Sequence, residues 1–328
     1  MPREIIGSLP PQEGKERLVH ANVAFVFPGQ GTQEVGMGLD LYQQSPAAKA
    51  IFDEADEALG FKLSRIIFEG PDQDLRKTIN TQPGLLATST AFYRAFKEHY
   101  GDETPIPKLV AGHSIGTLSA LVVAGVITFR DGVKLARERG RLMEQASKEN
   151  PGSMAAIIGL DELALDHICA EMGVDIGSFN SADQVTITGE RRAVAQAVDL
   201  AILRGANQKV TKILPVSGAF HSKFMDQIRI GLRETLADIT FANPQVPIIA
   251  NSTAEILTDP DKIKEELING GCIPVRWKQS VDVMTNSGVT SVFEFGPGRV
   301  LSALVKRTNR AIETNPFNNL ESIRKFAS

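Results

Sequence analysis

A serine in a glycine-flanked turn is the first residue of this sequence that could do chemistry. Ser114 lies in Gly112-His113-Ser114-Ile115-Gly116, which matches the pattern G-x-S-x-G. Glycines on both sides let the backbone turn sharply enough to expose the Ser114 hydroxyl, and a helix that begins behind it offers N–H groups to an oxyanion. The pattern predicts a nucleophile. The alternative is a turn in which Ser114 only caps the helix, because serine is a favoured N-cap residue.

A serine nucleophile needs a base, and the sequence contains five histidines. His221 follows a strand pattern and the small-residue turn 217–220, which places it at a strand end, where the sites of α/β proteins form. We predict that it is the base; the alternative is a histidine that only starts a helix. The remaining histidines are His20 in the N-terminal tail, His99 and His167 in polar helical stretches where we expect them to be solvated, and His113, which we expect to point away from Ser114.

An arginine on an apolar helix face is the third candidate. Residues 131–145 have helical periodicity, and Leu135, Arg139, Leu142 and Ala146 share one face. No Asp or Glu lies three or four residues from Arg139. A guanidinium in that position must be paired or be kept for an anionic ligand. The alternatives are an ion pair with a distant carboxylate and a side chain that extends to the rim of the core.

Two glycine-rich turns suggest nucleotide binding, but neither completes a known pattern. The turn at 29–31 would need glycine at position 34, which is Glu34, and the turn at 296–298 would need glycine at position 301, which is Leu301. The sequence also lacks the G-x-x-x-x-G-K-[ST] pattern of P-loops. We therefore expect no nucleotide cofactor.

The elements that must position these residues alternate between strand and helix. Short apolar runs predict strands, and longer stretches predict helices, in an α/β layer fold with parallel strands. The predicted strands are 23–27, 108–111, 246–250 and 291–295, and the predicted helices are 45–59, 82–100, 117–127, 131–145, 221–236 and 277–287.

In the middle of the chain the order of predicted strands and helices changes, and this change predicts a small inserted domain over residues 150–213. Its order is β-α-β-β-α-β, typical of ferredoxin-like domains. The predicted elements are 154–158, 162–172, 175–179, 185–188, 191–203 and 209–214. The larger domain would then comprise 21–149 and 214–310, with tails at 1–20 and 311–328, the last fifteen residues being polar and expected on the surface.

Composition limits the possible functions. A length of 328 residues suggests about two domains, and 42% hydrophobic residues indicate a globular protein. A net charge of −4 argues against nucleic acid as the main partner, because such proteins present a basic surface. Cys169 and Cys272 cannot build a disulfide framework or a zinc site, which favours a reducing cytoplasm. No apolar run reaches the roughly 18 residues needed to span a membrane.

Nine segments taken together carry a resemblance to a known family. The segments are FVFPGQGTQ (25–33), NTQPGLLATS (80–89), AGHSIGTLSALVVAGVI (111–127), ERGRLMEQA (138–146), GSMAAIIGL (152–160), FNSADQVTITG (179–189), PVSGAFHS (215–222), PVRW (274–277) and FEFGPGRVL (293–301). In this order they resemble the malonyl-CoA:acyl-carrier-protein transacylases of fatty-acid synthesis and the related acyltransferases of polyketide synthases. The resemblance implies an α/β-hydrolase-like large domain with an inserted ferredoxin-like small domain.

The resemblance also implies a role for each site residue. Transfer of malonyl from malonyl-CoA to an acyl carrier protein would pass through an ester on Ser114, with no cofactor. The implied roles are nucleophile for Ser114, base for His221, backbone oxyanion donors for Gln30 and Ile115, binding of the malonyl carboxylate for Arg139, a His221-orienting backbone carbonyl for Arg276, and malonyl selectivity for Phe220 together with Ile115.

One departure from the family pattern and two rival functions stay open. After GHSxG the family commonly has Glu-Tyr-Ser, whereas this chain has Thr117-Leu118-Ser119. The lost carboxylate is expected to change the support of the site more than its chemistry. The rival functions are an α/β-hydrolase-type esterase or thioesterase and a non-catalytic module that docks a carrier protein. A trans-acting polyketide synthase acyltransferase is a variant of the same chemistry.

Overall fold

The structure, a computed structural model, describes residues 22–326 and contains two separate sheets. The predicted N-terminal tail 1–20 lies outside the described residues. The strands are β1 Val23–Phe27, β2 Leu109–Gly112, β3 Ser153–Ile158, β4 Asp175–Ser181, β5 Gln184–Gly189, β6 Lys212–Ile213, β7 Ile248–Ile249, β8 Ile256–Leu257, β9 Ser291–Phe295 and β10 Glu313–Phe317. The helices are α1 Leu39–Gln44, α2 Pro46–Leu59, α3 Leu63–Glu69, α4 Asp72–Leu75, α5 Thr78–Tyr100, α6 Gly116–Val123, α7 Phe129–Glu149, α8 Glu162–Met172, α9 Arg191–Leu203, α10 Ile228–Ala237, α11 Pro260–Asn269, α12 Trp277–Asn286, α13 Val300–Thr308 and α14 Leu320–Lys325.

The large sheet has six strands in the order β10-β9-β1-β2-β7-β8. Its pairs are parallel except for β7 and β8. Along β1, Phe25 and Phe27 enter the core shared with α2, α5 and α7, whereas Ala24 and Val26 enter the core shared with α12 and α13. Because successive side chains of a strand point to opposite faces, both faces of the sheet are covered. That burial explains why β1 is a continuous apolar run.

The small sheet has four antiparallel strands in the order β4-β5-β3-β6. Apolar residues of α8 and α9 pack on it and form a core of their own. The chain order β3-α8-β4-β5-α9-β6 is the ferredoxin-like order predicted from periodicity. The predicted fold class, a large α/β domain interrupted by this small domain, is confirmed.

The C-terminal segment is not the surface tail that its polarity predicted over 311–328. Residues 313–317 form β10, which pairs in parallel with β9, and α14 follows. Phe317 and Ile323 are buried, and the Phe317 ring lies 4.7 Å from that of Phe96. Phe317 is the one fully buried residue of this edge strand, so the strand does not show as a hydrophobic run in the sequence.

Three further differences concern the ends of elements. The predicted strand 209–214 is reduced to Lys212–Ile213, the predicted helix 117–127 ends at Val123, and the helix predicted from 221 begins at Ile228 after a 3₁₀ turn at Lys223–Met225. Gly125 adopts φ 74°, a left-handed conformation that commonly follows a helix end. His221 has φ 58°, which a right-handed helix does not accommodate.

None of the helices between residues 22 and 326 combines the length and hydrophobicity that crossing a membrane requires.

Candidate active site

The turn that carries Ser114 connects β2 to α6 at the carboxyl edge of the large sheet. Ser114 has φ 53°, a left-handed conformation that is uncommon outside glycine. A Cβ atom on Gly112 would lie 1.9 Å from the carbonyl carbon of Gly116, and one on Gly116 would lie 2.1 Å from the carbonyl oxygen of Phe27. Only glycine fits at either position. The sharp turn predicted from G-x-S-x-G therefore rests on close backbone approach to β1.

The structure brings the predicted nucleophile and the predicted base together, although they are 107 residues apart in the chain. Ser114 Oγ lies 2.8 Å from His221 Nε2. The backbone N–H of His221 donates to the carbonyl of Gly271 at 3.1 Å, which ties the histidine turn to the loop after α11. A hydroxyl within hydrogen-bond distance of an imidazole is the arrangement that nucleophilic catalysis by serine needs.

The carbonyl that orients His221 belongs to Ile273, so the prediction of Arg276 is wrong. His221 Nδ1 lies 3.2 Å from the Ile273 oxygen. The Arg276 carbonyl accepts instead from the hydroxyl of Ser280 at 3.0 Å, because Arg276 is the N-cap residue of α12 and its oxygen belongs to the first turn of that helix. The Arg276 guanidinium lies over the ring of Phe179, 5.6 Å from its centre.

Burial keeps His221 neutral. Burial, and after it the positive charge of Arg139, lowers the pKa of His221 to about 3, although hydrogen bonding to the carbonyls of Ile273 and Gly270 acts in the opposite direction. At neutral pH the imidazole is therefore in its neutral form. Its Nε2 atom is free to accept the proton of Ser114, as a general base must.

Arg139 of α7 is buried, with 6% of its surface exposed, and it points at the serine. Its Nη1 atom donates to Gln82 Oε1 at 2.9 Å, and its Nη2 atom lies 3.3 Å from Ser114 Oγ. Within residues 22–326 no carboxylate lies at ion-pair distance from it. Burial lowers the pKa of Arg139 to about 10, so the guanidinium stays charged at neutral pH. The buried charge has neutral partners only, in agreement with a site for an anionic ligand.

A cleft between the two domains opens over Ser114. Gln30, Ile115 and Phe220 of the large domain line it together with Met154 and Asn180 of the small domain. In the described part of the chain, the backbone N–H groups of Gln30 and Ile115 donate to no other residue. Two such donors beside a nucleophile can receive an oxyanion. The described residues contain no group of three or more His, Cys, Asp or Glu side chains that could hold a metal ion.

The side chains of the three other described histidines form no hydrogen bond to Ser114 or His221. His99 and His167 are exposed, as predicted. His113 points away from Ser114 and places its Nε2 atom 2.9 Å from Asn180 Oδ1, which links the two domains. His20 falls outside the described residues.

Sequence reasoning missed two residues that hold the site. Gln82, which binds Arg139, lies inside a quoted motif, but nothing in its spacing indicates that contact. Asn251 accepts the backbone N–H of Ser114 at 2.8 Å through Oδ1, and its Nδ2 atom donates to the carbonyl of Gly112 and to Thr117 Oγ1. The only available signal for Asn251 was its position directly after the predicted strand 246–250, where polar residues of α/β sites often lie.

Comparisons with known proteins agree over nearly the whole chain. The family described as "Acyl transferase domain" matches residues 24–323. A malonyl CoA-acyl carrier protein transacylase of Bacillus subtilis (strain 168) is 42% identical over 308 residues, covering 92% of this chain and 95% of the relative. The crystal structure of an acyl-carrier-protein-S-malonyltransferase from Bartonella henselae superposes with a TM-score of 0.88 at 39% identity, covering 92% of this chain and 97% of the other. A malonyl-transacylase, solved in complex with a type II polyketide synthase acyl-carrier protein, also gives a TM-score of 0.88 at 39% identity, covering 92% of this chain and 98% of the other.

Proposed function

This chain belongs to the acyl transferase domain family, and we propose that it transfers a malonyl group from malonyl-CoA to the phosphopantetheine thiol of an acyl carrier protein. One observation carries the choice of substrate class. The guanidinium of Arg139 is buried 3.3 Å from the nucleophile and has no carboxylate partner in the described part of the chain. A substrate that brings its own carboxylate to that charge is favoured over a neutral acyl group.

The first step forms an ester on Ser114. His221 Nε2 takes the hydroxyl proton while Oγ attacks the carbonyl carbon of the malonyl thioester, and the negative charge moves to the carbonyl oxygen. The N–H groups of Gln30 and Ile115 would stabilise that oxyanion. One such donor typically lowers the activation free energy by about 3–4 kcal/mol. The carbon–sulfur bond then breaks, and the CoA sulfur leaves with the proton that His221 had accepted.

The second step reverses the first with a different thiol. The phosphopantetheine sulfur of the carrier protein attacks the ester carbonyl and gives its proton to His221, which returns it to Ser114 Oγ as the ester bond breaks. Because one thioester replaces another, the overall reaction is close to isoenergetic. These two steps use only side chains and backbone groups of this chain, with no cofactor.

Arg139 would hold the malonyl carboxylate during both steps. Its planar guanidinium can form two parallel hydrogen bonds to a carboxylate, a geometry that lysine cannot reproduce. Gln82 already accepts from Nη1 at 2.9 Å, which fixes the plane of the guanidinium before substrate arrives. Phe220 lines the same cleft, where a bulky side chain limits the space beside the acyl group.

The rival hydrolase has less support. A hydrolase of the α/β type orients its histidine with an acidic side chain, whereas His221 Nδ1 faces the carbonyl of Ile273. The same two steps serve fatty-acid and polyketide synthesis, so the carrier protein decides between these pathways. The reduced, buried Cys169 and Cys272 favour the cytoplasm as the place of action.

The proposed function is tested by the mass of the intact protein after brief mixing with malonyl-CoA. The wild-type chain should gain one malonyl group and lose it when an acyl carrier protein bearing phosphopantetheine is added, and Ser114→Ala should gain none. A fully occupied adduct on the Ser114→Ala protein contradicts the assignment of the nucleophile. Rapid release of free malonate without any thiol favours the hydrolase.

The substrate class is tested in the same assay with Arg139→Ala. Leaving a buried charge unpaired costs on the order of 3–5 kcal/mol, so kcat/KM for malonyl-CoA should fall at least several hundred-fold. Acetyl-CoA carries no carboxylate, and its kcat/KM should become comparable to that of malonyl-CoA or better. An equal fall for both donors would show that Arg139 is structural.

A further inference from the structure

A buried carboxylate that the proposed steps do not use lies behind the nucleophile. Glu266 of α11 is 9% exposed and lines a small cavity together with Ser114, Thr117, Arg139 and Asn251. Within residues 22–326 no Lys or Arg side chain is at ion-pair distance from it. Burial raises the pKa of Glu266 above its ordinary range. A buried acidic group without a cation needs hydrogen bonds to be stable.

The hydrogen bonds to the Glu266 carboxylate all come from two consecutive residues, Asn251 and Ser252. Glu266 Oε1 accepts the N–H of Asn251 at 2.8 Å and the N–H of Ser252 at 3.0 Å. Its Oε2 atom is bonded to the hydroxyl of Ser252. Both carboxylate oxygens are therefore occupied, and together they fix the backbone that carries Asn251.

Asn251, whose backbone Glu266 holds, is hydrogen-bonded in turn to the serine turn. Its Oδ1 atom accepts the N–H of Ser114 at 2.8 Å, and its Nδ2 atom binds the carbonyl of Gly112 at the start of the turn. The strand before Asn251 is only two residues long, so the sheet gives this segment little support. Ser114 occupies a left-handed conformation that persists only where its surroundings determine it.

We propose that Glu266 is a positioning residue for acyl transfer, which acts through Asn251 to hold Ser114 with its hydroxyl directed at His221. The inference rests on the proposed function. It also accounts for Thr117, where the family pattern has a glutamate. Thr117 and Glu266 line the same cavity, so the carboxylate there comes from α11 and not from the nucleophile helix.

The test compares three variants of the full chain in the rate of malonyl-ester formation on Ser114. Glu266→Ala should lower the maximal rate about 10- to 100-fold, the scale for a displaced nucleophile, with KM for malonyl-CoA changed less than about two-fold. Glu266→Gln keeps the two acceptor bonds and can donate to the Ser252 hydroxyl, so its rate should stay within about three-fold of wild type. Glu265→Ala, an exposed carboxylate on the same helix, is the matched control and should match wild type.

A double-mutant cycle with Asn251→Ala tests whether Glu266 acts through Asn251. If it does, Glu266→Ala should add little to the loss caused by Asn251→Ala, because the two changes break one network. A double variant whose loss is the product of the single losses overturns the proposal. A Glu266→Ala rate equal to that of Glu265→Ala, or a Glu266→Gln rate as low as that of Glu266→Ala, also overturns it.

The wild-type protein separates the two hypotheses. If it forms no ester with malonyl-CoA, the proposed function fails; if it does, only the variants decide on Glu266. Should Glu266→Ala lose its folded circular dichroism spectrum, the Glu266→Gln variant decides the outcome, and a rate more than about ten-fold below that of wild type overturns the proposal.

Discussion

The serine turn (112–116) and the histidine turn (217–222) hold their residues in the same unusual backbone conformation by different means. Ser114 has φ 53° and His221 has φ 58°. The serine turn is packed backbone against backbone, with Gly116 against the carbonyl of Phe27. The histidine turn is packed against side chains, since a Cβ atom on Gly218 would lie 2.0 Å from Ser147 Oγ.

The hydrogen-bond partners of the two reacting residues differ in the opposite sense, a side chain for Ser114 and a backbone carbonyl for His221. Ser114 is clamped by Asn251, whereas the ring of His221 is oriented by a loop carbonyl, that of Ile273. A carbonyl stabilises an imidazolium less than a carboxylate would. A base that releases its proton readily suits an exchange between two thioesters of similar energy. The nucleophile is thus rigidly placed, and the base is only oriented.

The largest expected effect comes from removing the base. His221→Ala should keep the fold and slow malonyl-ester formation on Ser114 about 10²- to 10⁴-fold, the usual contribution of a positioned base. Rapid-quench mass spectrometry measures the rate, with the exposed His167→Ala as control. An unchanged rate would assign the proton transfer to another group, with His113 the nearest candidate by sequence.

Matched glycine substitutions test the difference in packing. Gly116→Ala places Cβ 2.1 Å from a backbone oxygen that the sheet holds in place, so the free energy of unfolding should fall by about 3 kcal/mol or more. Gly218→Ala meets a serine side chain, and its cost should be smaller, about 1–2 kcal/mol.

Urea denaturation followed by circular dichroism gives both free energies of unfolding. Pairing Gly218→Ala with Ser147→Ala removes the nearest clashing atom and should recover part of the loss. Equal losses for the two glycine substitutions would contradict the distinction between backbone and side-chain packing.

The last expected effect is on pH dependence. Burial lowers the pKa of His221 to about 3 in the folded protein, against roughly 6.5 for an exposed histidine. Between these values the unfolded chain binds a proton that the folded chain does not, so the contribution of His221 to stability is complete above pH ~6.5 and is lost as the pH falls toward 3. The acid limb of kcat/KM should accordingly lie below about pH 5.5.

The acid limb is best measured with malonyl-pantetheine, which lacks the phosphates that titrate near pH 6. The free energy of unfolding is measured against pH for His221→Ala and for wild type. The difference between the two curves gives the contribution of the His221 side chain to the pH dependence of stability. An acid limb centred at or above pH 6.5 would show that His221 is more solvated than its burial indicates.

The amino-acid sequence by itself determined the parts of the site that depend on neighbours along the chain. Each of these parts lies within about fifteen consecutive residues: the turn around Ser114, the strand end before His221, and the apolar helix face that carries Arg139. Local backbone sterics and hydrophobic periodicity encode such features, which is why the strands, the helices and the inserted domain were also predictable. The roles of Gln30 and Ile115 as oxyanion donors stay predictions.

Only the tertiary structure decided the contacts between distant segments. Asn251 lies 137 residues from Ser114 in the chain, and Ile273 lies 52 residues from His221. Which carbonyl faces the imidazole depends on how the loop after α11 packs on the histidine turn, so the choice between Ile273 and Arg276 could not be read from spacing. Glu266 is likewise one of several charged residues on an amphipathic helix until the packing of α11 buries it behind Ser114. Local patterns specify elements, whereas the partners of buried polar groups follow from how those elements pack.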